Sequence, residues 1–222
     1  MPLPRGLVLL ASLWIFASWA LCIGLRPPVA ASLASFAPGI RLLMTSLAVG
    51  LCVAWPLLRL SGPRERWPML RVAMDLVALA ALTHVVMWPL RLATPWPPER
   101  LAMMDAILFA WVAIAGAVLS VAIASSDPRA RTSAMAACLL IATLGLPLRL
   151  LAAGLGTAPP PPWLQGPAIA VLMLGSESGA LTDADGWAGV ATLTVAAAAA
   201  WVAAWWWLRP RPALVAAPRA HG

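Results

Sequence analysis

The chain has 222 residues, is 62% hydrophobic and only 10% charged, and its formal net charge of +7 arises without a single lysine. That is the composition of a polytopic membrane protein, and membrane spans consume so much of the length that no soluble catalytic or nucleotide-binding domain fits. A basic balance in such a chain marks one membrane face and contact with anionic lipid; there is no basic, aromatic-interleaved soluble surface for nucleic acid.

Residues 7–25 form the first expected span, flanked by Arg5 and by Arg26-Pro27-Pro28. Its apolar core exceeds the roughly 7–15 residues of a signal-peptide core, so it reads as an uncleaved anchor although Val29-Ala30-Ala31 offers small residues for cleavage. A loop at 30–39 leads to the second span, 40–60, and a charged turn, 61–68, to the third, 72–90. A proline-rich loop at 93–100 precedes the fourth span, 101–124; the turn 125–132 precedes the fifth, 134–153. The last span is 187–208, and the tail 213–222 is expected to be disordered beyond a membrane domain of 1–212. The fold class predicted is thus an all-α membrane protein with six transmembrane helices.

Between the fifth and sixth spans lies a long polar-edged interval, 154–187, with four consecutive prolines and the short apolar run 167–174. A run that short cannot cross a bilayer, which needs about 20 apolar residues, so it predicts a re-entrant or interfacial helical hairpin. Pro167 suits the first turn of its helix and Gly175 the end. Glu177, Asp183 and Asp185 read as solvated residues of the turn that follows.

Six spans place both termini on one side. On that side lie Arg5, Arg59, Arg64, Arg66, Arg71, Arg129, Arg131, Arg209, Arg211 and Arg219; on the other lie Arg26, Arg41, Arg91, Arg100 and Arg149. The positive-inside rule then predicts cytoplasmic termini and an outer hairpin. The absence of Lys, Tyr and Asn, whose codons are A/T-rich, points to a GC-rich genome and a bacterial inner membrane. Trp201, Trp205, Trp206 and Trp207 form an interfacial anchor at the inner end of the last span. Three spans end on a proline followed by arginine (Arg59, Arg91 and Arg149), each placed to snorkel to the headgroups.

Few residues can carry chemistry. His84, near the middle of the third span, is a candidate for proton relay or haem ligation, with a neutral imidazole bonded to a neighbouring helix as the plainer and favoured reading. The second histidine, His221, lies in the tail, so bis-histidine ligation within the membrane is excluded. Asp75 follows Arg71 at i,i+4 and is expected to pair with it at the inner end of the third span. Asp105 and Arg149 fall in outer portions of the fourth and fifth spans and would pair if those helices pack side by side. Cys22, Cys52 and Cys138 lie singly in apolar runs, without the spacing of a disulfide framework or thiolate metal site. No nucleophile elbow, zinc motif or phosphate loop is present, so neither enzyme nor cofactor is expected.

The stretch Gly116-Ala117-Val118-Leu119-Ser120, running through Asp127-Pro128-Arg129-Ala130-Arg131-Thr132 into an apolar span with a late proline, resembles the fourth-to-fifth helix connection of exporter-type ATP-binding-cassette permeases. The segment Gly166-Pro167-Ala168-Ile169-Ala170-Val171-Leu172 before a Trp-rich last helix is similar to their outer hairpin. Leu33-Ala34-Ser35-Phe36-Ala37-Pro38-Gly39-Ile40 resembles the start of the second span in the haem-exporter permease branch. The resemblance implies a permease subunit of an ATP-driven exporter, paired with a second permease copy or a related permease and with a cytoplasmic ATPase. The ATPase would dock at Arg64, Glu65, Arg66, Asp127, Arg129 and Arg131, and the outer gate would contain Pro167, Ala170, Leu174 and Gly175. A second class stays open: a non-catalytic structural or accessory subunit of a larger membrane complex, for which a short 61–70 turn is no handicap. A proton- or solute-coupled carrier is a third, opposed by the scarcity of deep ionisable residues.

Overall fold

The computed structural model describes residues 5–24, 33–94, 96–158, 160–168, 170 and 184–209. Among these there is no strand. The helices are α1 (Arg5–Cys22), α2 (Leu33–Val49), α3 (Trp55–Leu60), α4 (Pro68–Met87), α5 (Leu90–Ala93), α6 (Pro98–Ala124), α7 (Pro128–Thr143), α8 (Gly145–Gly154) and α9 (Ala184–Leu208). Among the described residues, five stretches are long and apolar enough to cross a membrane: Arg5–Cys22, Phe36–Leu60, Pro68–Leu92, Pro98–Ala124 and Gly186–Leu208. The α7–α8 pair makes a sixth if it counts as one span, but it is bent by 62°. The fold is that of a multi-pass membrane protein.

Prolines set the breaks. Pro56 has no N–H and its ring would strike the Cys52 carbonyl four residues back. The chain avoids this with one π turn, Gly50–Ala54, in which the Trp55 N–H reaches the Gly50 carbonyl, and α2 runs on into α3 without a kink to solvent. Pro147 acts the same way on Thr143, and here the helix does break, with α7 ending at Thr143 and α8 restarting at Gly145. The expected fifth span is therefore two helices. The expected loops at 30–39, 93–100 and 125–132 also shrink, because helices begin at Leu33, Pro98 and Pro128. Pro98 and Pro128 sit where a missing N–H costs nothing, and Asp127 caps α7 by accepting the Arg129 N–H at 2.9 Å.

The 27-residue α6 is about 40 Å long at 1.5 Å per residue, and its apolar residues face inward on most sides. It is the axis of the bundle, with α4, α7 and α9 packed around it. Gly116 makes room for this: a Cβ there would lie 3.2 Å from Leu76 and Val72 and 3.4 Å from the Trp55 ring. The α1 helix docks on α2 through small residues, Ser18 Oγ meeting Ser46 Oγ at 2.7 Å and the Trp14 Nε1–H donating to the Ser46 carbonyl at 3.3 Å. The outward sides of α1 and α9 stay apolar and exposed, as at Leu9, Leu13, Leu21, Val202, Trp206 and Trp207.

The start of α1 lies beside α3, since Leu7 and Leu58 line one groove. The turn 61–67, the 125–127 turn and the end of α9 gather at that same end, which we term the N-terminal face. We term the end where α6 begins the distal end; the described residues from 160 to 168 lie on its side of the bundle and reach the middle of α6, where Trp163 meets Trp111.

Candidate functional site

Polar chemistry concentrates in three places. The first is on α4 toward the N-terminal face, where Asp75 has no solvent-accessible side chain. The Arg59 Nη2–H donates to Asp75 Oδ1 at 2.5 Å, the Arg59 Nε–H donates to Oδ2, and the Trp55 Nε1–H reaches Oδ2 at 3.2 Å. The expected Arg71–Asp75 pair is thus corrected. Asp75 belongs to the buried face of α4 with Val72, Leu79 and Thr83, while Arg71 lies one step around the helix and points its guanidinium to Glu65 at 3.9 Å. Arg59 is accordingly not a snorkelling residue. Its planar fork matches the carboxylate, and this geometry outweighs a distant headgroup.

The second place is on the flank between α4 and α6, nearer the distal end. His84 Nε2 lies 2.8 Å from Asp105 Oδ2 on α6, and Nδ1 lies 2.6 Å from the Ala80 carbonyl of its own helix. A carbonyl only accepts, so Nδ1 carries a hydrogen, and one further proton occupies the Nε2–Oδ2 bridge. Whichever atom holds it, the pair is neutral overall, which is the form that apolar surroundings tolerate. The imidazole stacks on Phe109 at 5.9 Å between ring centroids, and 43% of its side chain is exposed on the flank. His84 thus bonds a neighbouring helix, and the partner is a carboxylate. Asp105 is therefore not paired with Arg149.

Arg149 belongs to the third place, the chain's return at the distal end. Its Nε–H donates to Gln165 Oε1 at 2.5 Å, and Gln165, 1% exposed, donates to the Pro160 carbonyl. The Trp111 Nε1–H of α6 donates to the Trp163 carbonyl at 3.0 Å, and the Trp163 ring closes on Gly189 of α9. Pro167 and Ala170 are buried, Ala170 within the main core, and the Ala170 N–H bonds the Gly166 carbonyl at 3.0 Å. Gln165, Gly166, Pro167 and Ala170 are thus buried against the helices. Leu174 and Gly175, with Glu177 and Asp183, lie outside the described residues. Asp185 falls in the first turn of α9 instead of in a loop.

The residues expected to couple to an ATPase divide in two. Asp127 caps α7, and Arg131 ties both N-terminal-face turns together. Its Nη1 donates to the Leu60 carbonyl at 3.0 Å and the Gly62 carbonyl at 2.6 Å, and its Nε donates to the Ser125 carbonyl at 3.3 Å. The Glu65 N–H adds a bond to the Ile123 carbonyl at 3.2 Å. Arg64, Arg66 and Arg129 remain exposed. Arg131→Ala is expected to lower unfolding stability in detergent by about 2 kcal/mol, since bonds to a charged donor are each worth roughly 1.5–3 kcal/mol. Arg129→Ala should stay within about 0.5 kcal/mol of the parent. Equal midpoints in a denaturant titration of the two variants would show that Arg131 is not a tie.

Sequence reasoning missed Trp55, Arg59 and Gln165 as polar partners. Each sits in an apolar or proline-rich context, and only the π turn and the chain's return bring them to their acceptors. Cys52 and Cys138 are buried and Cys22 is half-buried, in line with small packing side chains. Among the described residues, no three of His, Cys, Asp or Glu gather as metal ligands would. Comparison with protein-family models, with curated proteins and with solved structures finds no match to this chain.

Proposed function

We propose that the chain is the membrane-spanning permease subunit of an ATP-driven exporter, acting with a second permease and a separate cytoplasmic ATPase. The observation that carries this reading is the chain's return at the distal end. The stretch around Trp163 and Gly166 packs beside α6 and α9 and rests on a helix pair bent by 62° at Leu144. A plug seated on a hinged helix is the arrangement a gate requires, because it can be released without unfolding the axis of the bundle. The arginine asymmetry puts the N-terminal face in the cytoplasm, with the exposed Arg129 beside the two bonded turns as the docking point.

A second reading, a structural subunit of a larger membrane complex, is favoured by those same turns. They are tied to one another, and among the described residues no helix projects from them toward an ATPase. Isolation of the native complex through a tag on the chain separates the two. An exporter permease yields an ATPase in stoichiometric amount, and Arg129→Glu reduces its recovery several-fold. A stable native complex without any ATPase would reject the permease reading.

A further inference from the structure

We propose that the N-terminal face holds one anionic diacyl phospholipid, in a cleft between the 64–70 turn and the last turn of α9. The cleft encloses about 820 Å³ and opens at the level where α6 ends. Among the described residues, the arginines Arg64, Arg66 and Arg209 line it against a single acidic residue, Glu65, which faces Arg71. The excess of positive charge calls for an anionic occupant. Arg209 is held in place, its guanidinium carbon 3.5 Å from the Trp205 ring centroid and 5.2 Å from that of Trp206, while Arg66 stands over Trp67 at 5.7 Å. A guanidinium stacked on an aromatic face keeps its N–H edge directed outward, so it meets a phosphate with little further loss of freedom.

The rest of the wall is apolar, and this decides between ligands. Trp67, Trp205 and Leu208 give the cleft an amphipathic lining that a free phosphate would leave unused. A phospholipid uses both parts: its phosphate takes the arginines, its glycerol lies at the tryptophan level, and an acyl chain follows the apolar wall. The assignment does not depend on transport, because a lipid here would fasten α9 to the 64–70 turn in an exporter and in a structural subunit alike.

The test uses the full chain purified in detergent and stripped of lipid, titrated with dioleoyl phosphatidylglycerol or dioleoyl phosphatidylcholine and read by native mass spectrometry. One phosphatidylglycerol should stay bound under collisional activation that removes phosphatidylcholine. The triple variant Arg64→Gln/Arg66→Gln/Arg209→Gln should weaken its binding by about tenfold or more, given the usual contribution of a basic residue at a lipid surface. Arg129→Gln, outside the cleft, should leave it unchanged. The corresponding triple lysine variant, which keeps the charge but loses the stacked planar fork, should bind more tightly than the glutamine variant and less tightly than the parent, and so exclude a general folding defect. Phosphatidylglycerol with brominated acyl chains should quench tryptophan fluorescence in the parent and not in the triple glutamine variant. Equal retention of the two lipids, or undiminished phosphatidylglycerol binding in the glutamine variant, would overturn the proposal. So would inorganic phosphate binding as tightly as the lipid, which would assign the cleft to a free anion. Recovery of the native protein with an acidic partner protein seated on these arginines and no lipid would overturn it too.

Discussion

Asp75→Ala is expected to cost about 3–5 kcal/mol, the usual penalty for breaking a buried ion pair from one side, and to reduce the protein's abundance in the membrane sharply. The size of the effect comes from what remains. Arg59 is only 17% exposed, and without Asp75 its charge would face α4 with no counter-ion, while the Trp55 N–H would lose its acceptor. The double variant Arg59→Met/Asp75→Leu should recover much of the loss, because two apolar side chains of similar size need no partner. Unfolding in a mild denaturing detergent, followed for the parent, the double variant and its two components Arg59→Met and Asp75→Leu, supplies the coupling energy. Equal damage in the single and double variants would mean that the pair is incidental and that packing around Trp55 carries the stability.

The contrast between this pair and the Arg71–Asp75 pair expected from spacing shows what a sequence of this kind reveals. The spans were legible because a 20-residue apolar run has one solution in a bilayer, and α1, α4, α6 and α9 lie where hydropathy places them. Side-chain partners were not, because i,i+4 spacing shows who shares a helix face and not which face is buried. Arg59 competes for Asp75 only because the π turn before Pro56 lets α3 continue from α2, which brings the Arg59 side chain to the buried face of α4. In the same way, Asp105 meets His84 because α4 packs against α6, a fact about helix neighbours that hydropathy does not contain. What was not legible after α8 is the depth at which Gln165 and Ala170 are buried. Gln165 and Ala170 look like loop and surface residues until Arg149 and Trp111 are seen to hold the segment inside the bundle.

That depth gives Gly166→Ala the second large expected effect. Gly166 has φ of +87°, where a side chain costs roughly 1–2 kcal/mol, and a Cβ would stand 2.7 Å from the Ile141 carbonyl oxygen. The obstacle is backbone, on the last turn of α7 just before the 62° break, so it cannot move aside as a flexible side chain would. The substitution must push the returning segment away from the break, and Gln165 and Ala170 lose their burial together. Gly154→Ala is the control, since nothing lies within 4 Å of a Cβ there. Hydrogen exchange should become at least about tenfold faster at the amides of 163–170 in Gly166→Ala and stay unchanged in α1 and α2, a local opening rather than a global one. If the segment is a gate, this variant assembles with its partners and loses controlled export; if it is a docking surface, the complex fails to form. Parent-like exchange in 163–170 would show that the segment is not held by the bend, and the gate reading would lose its support.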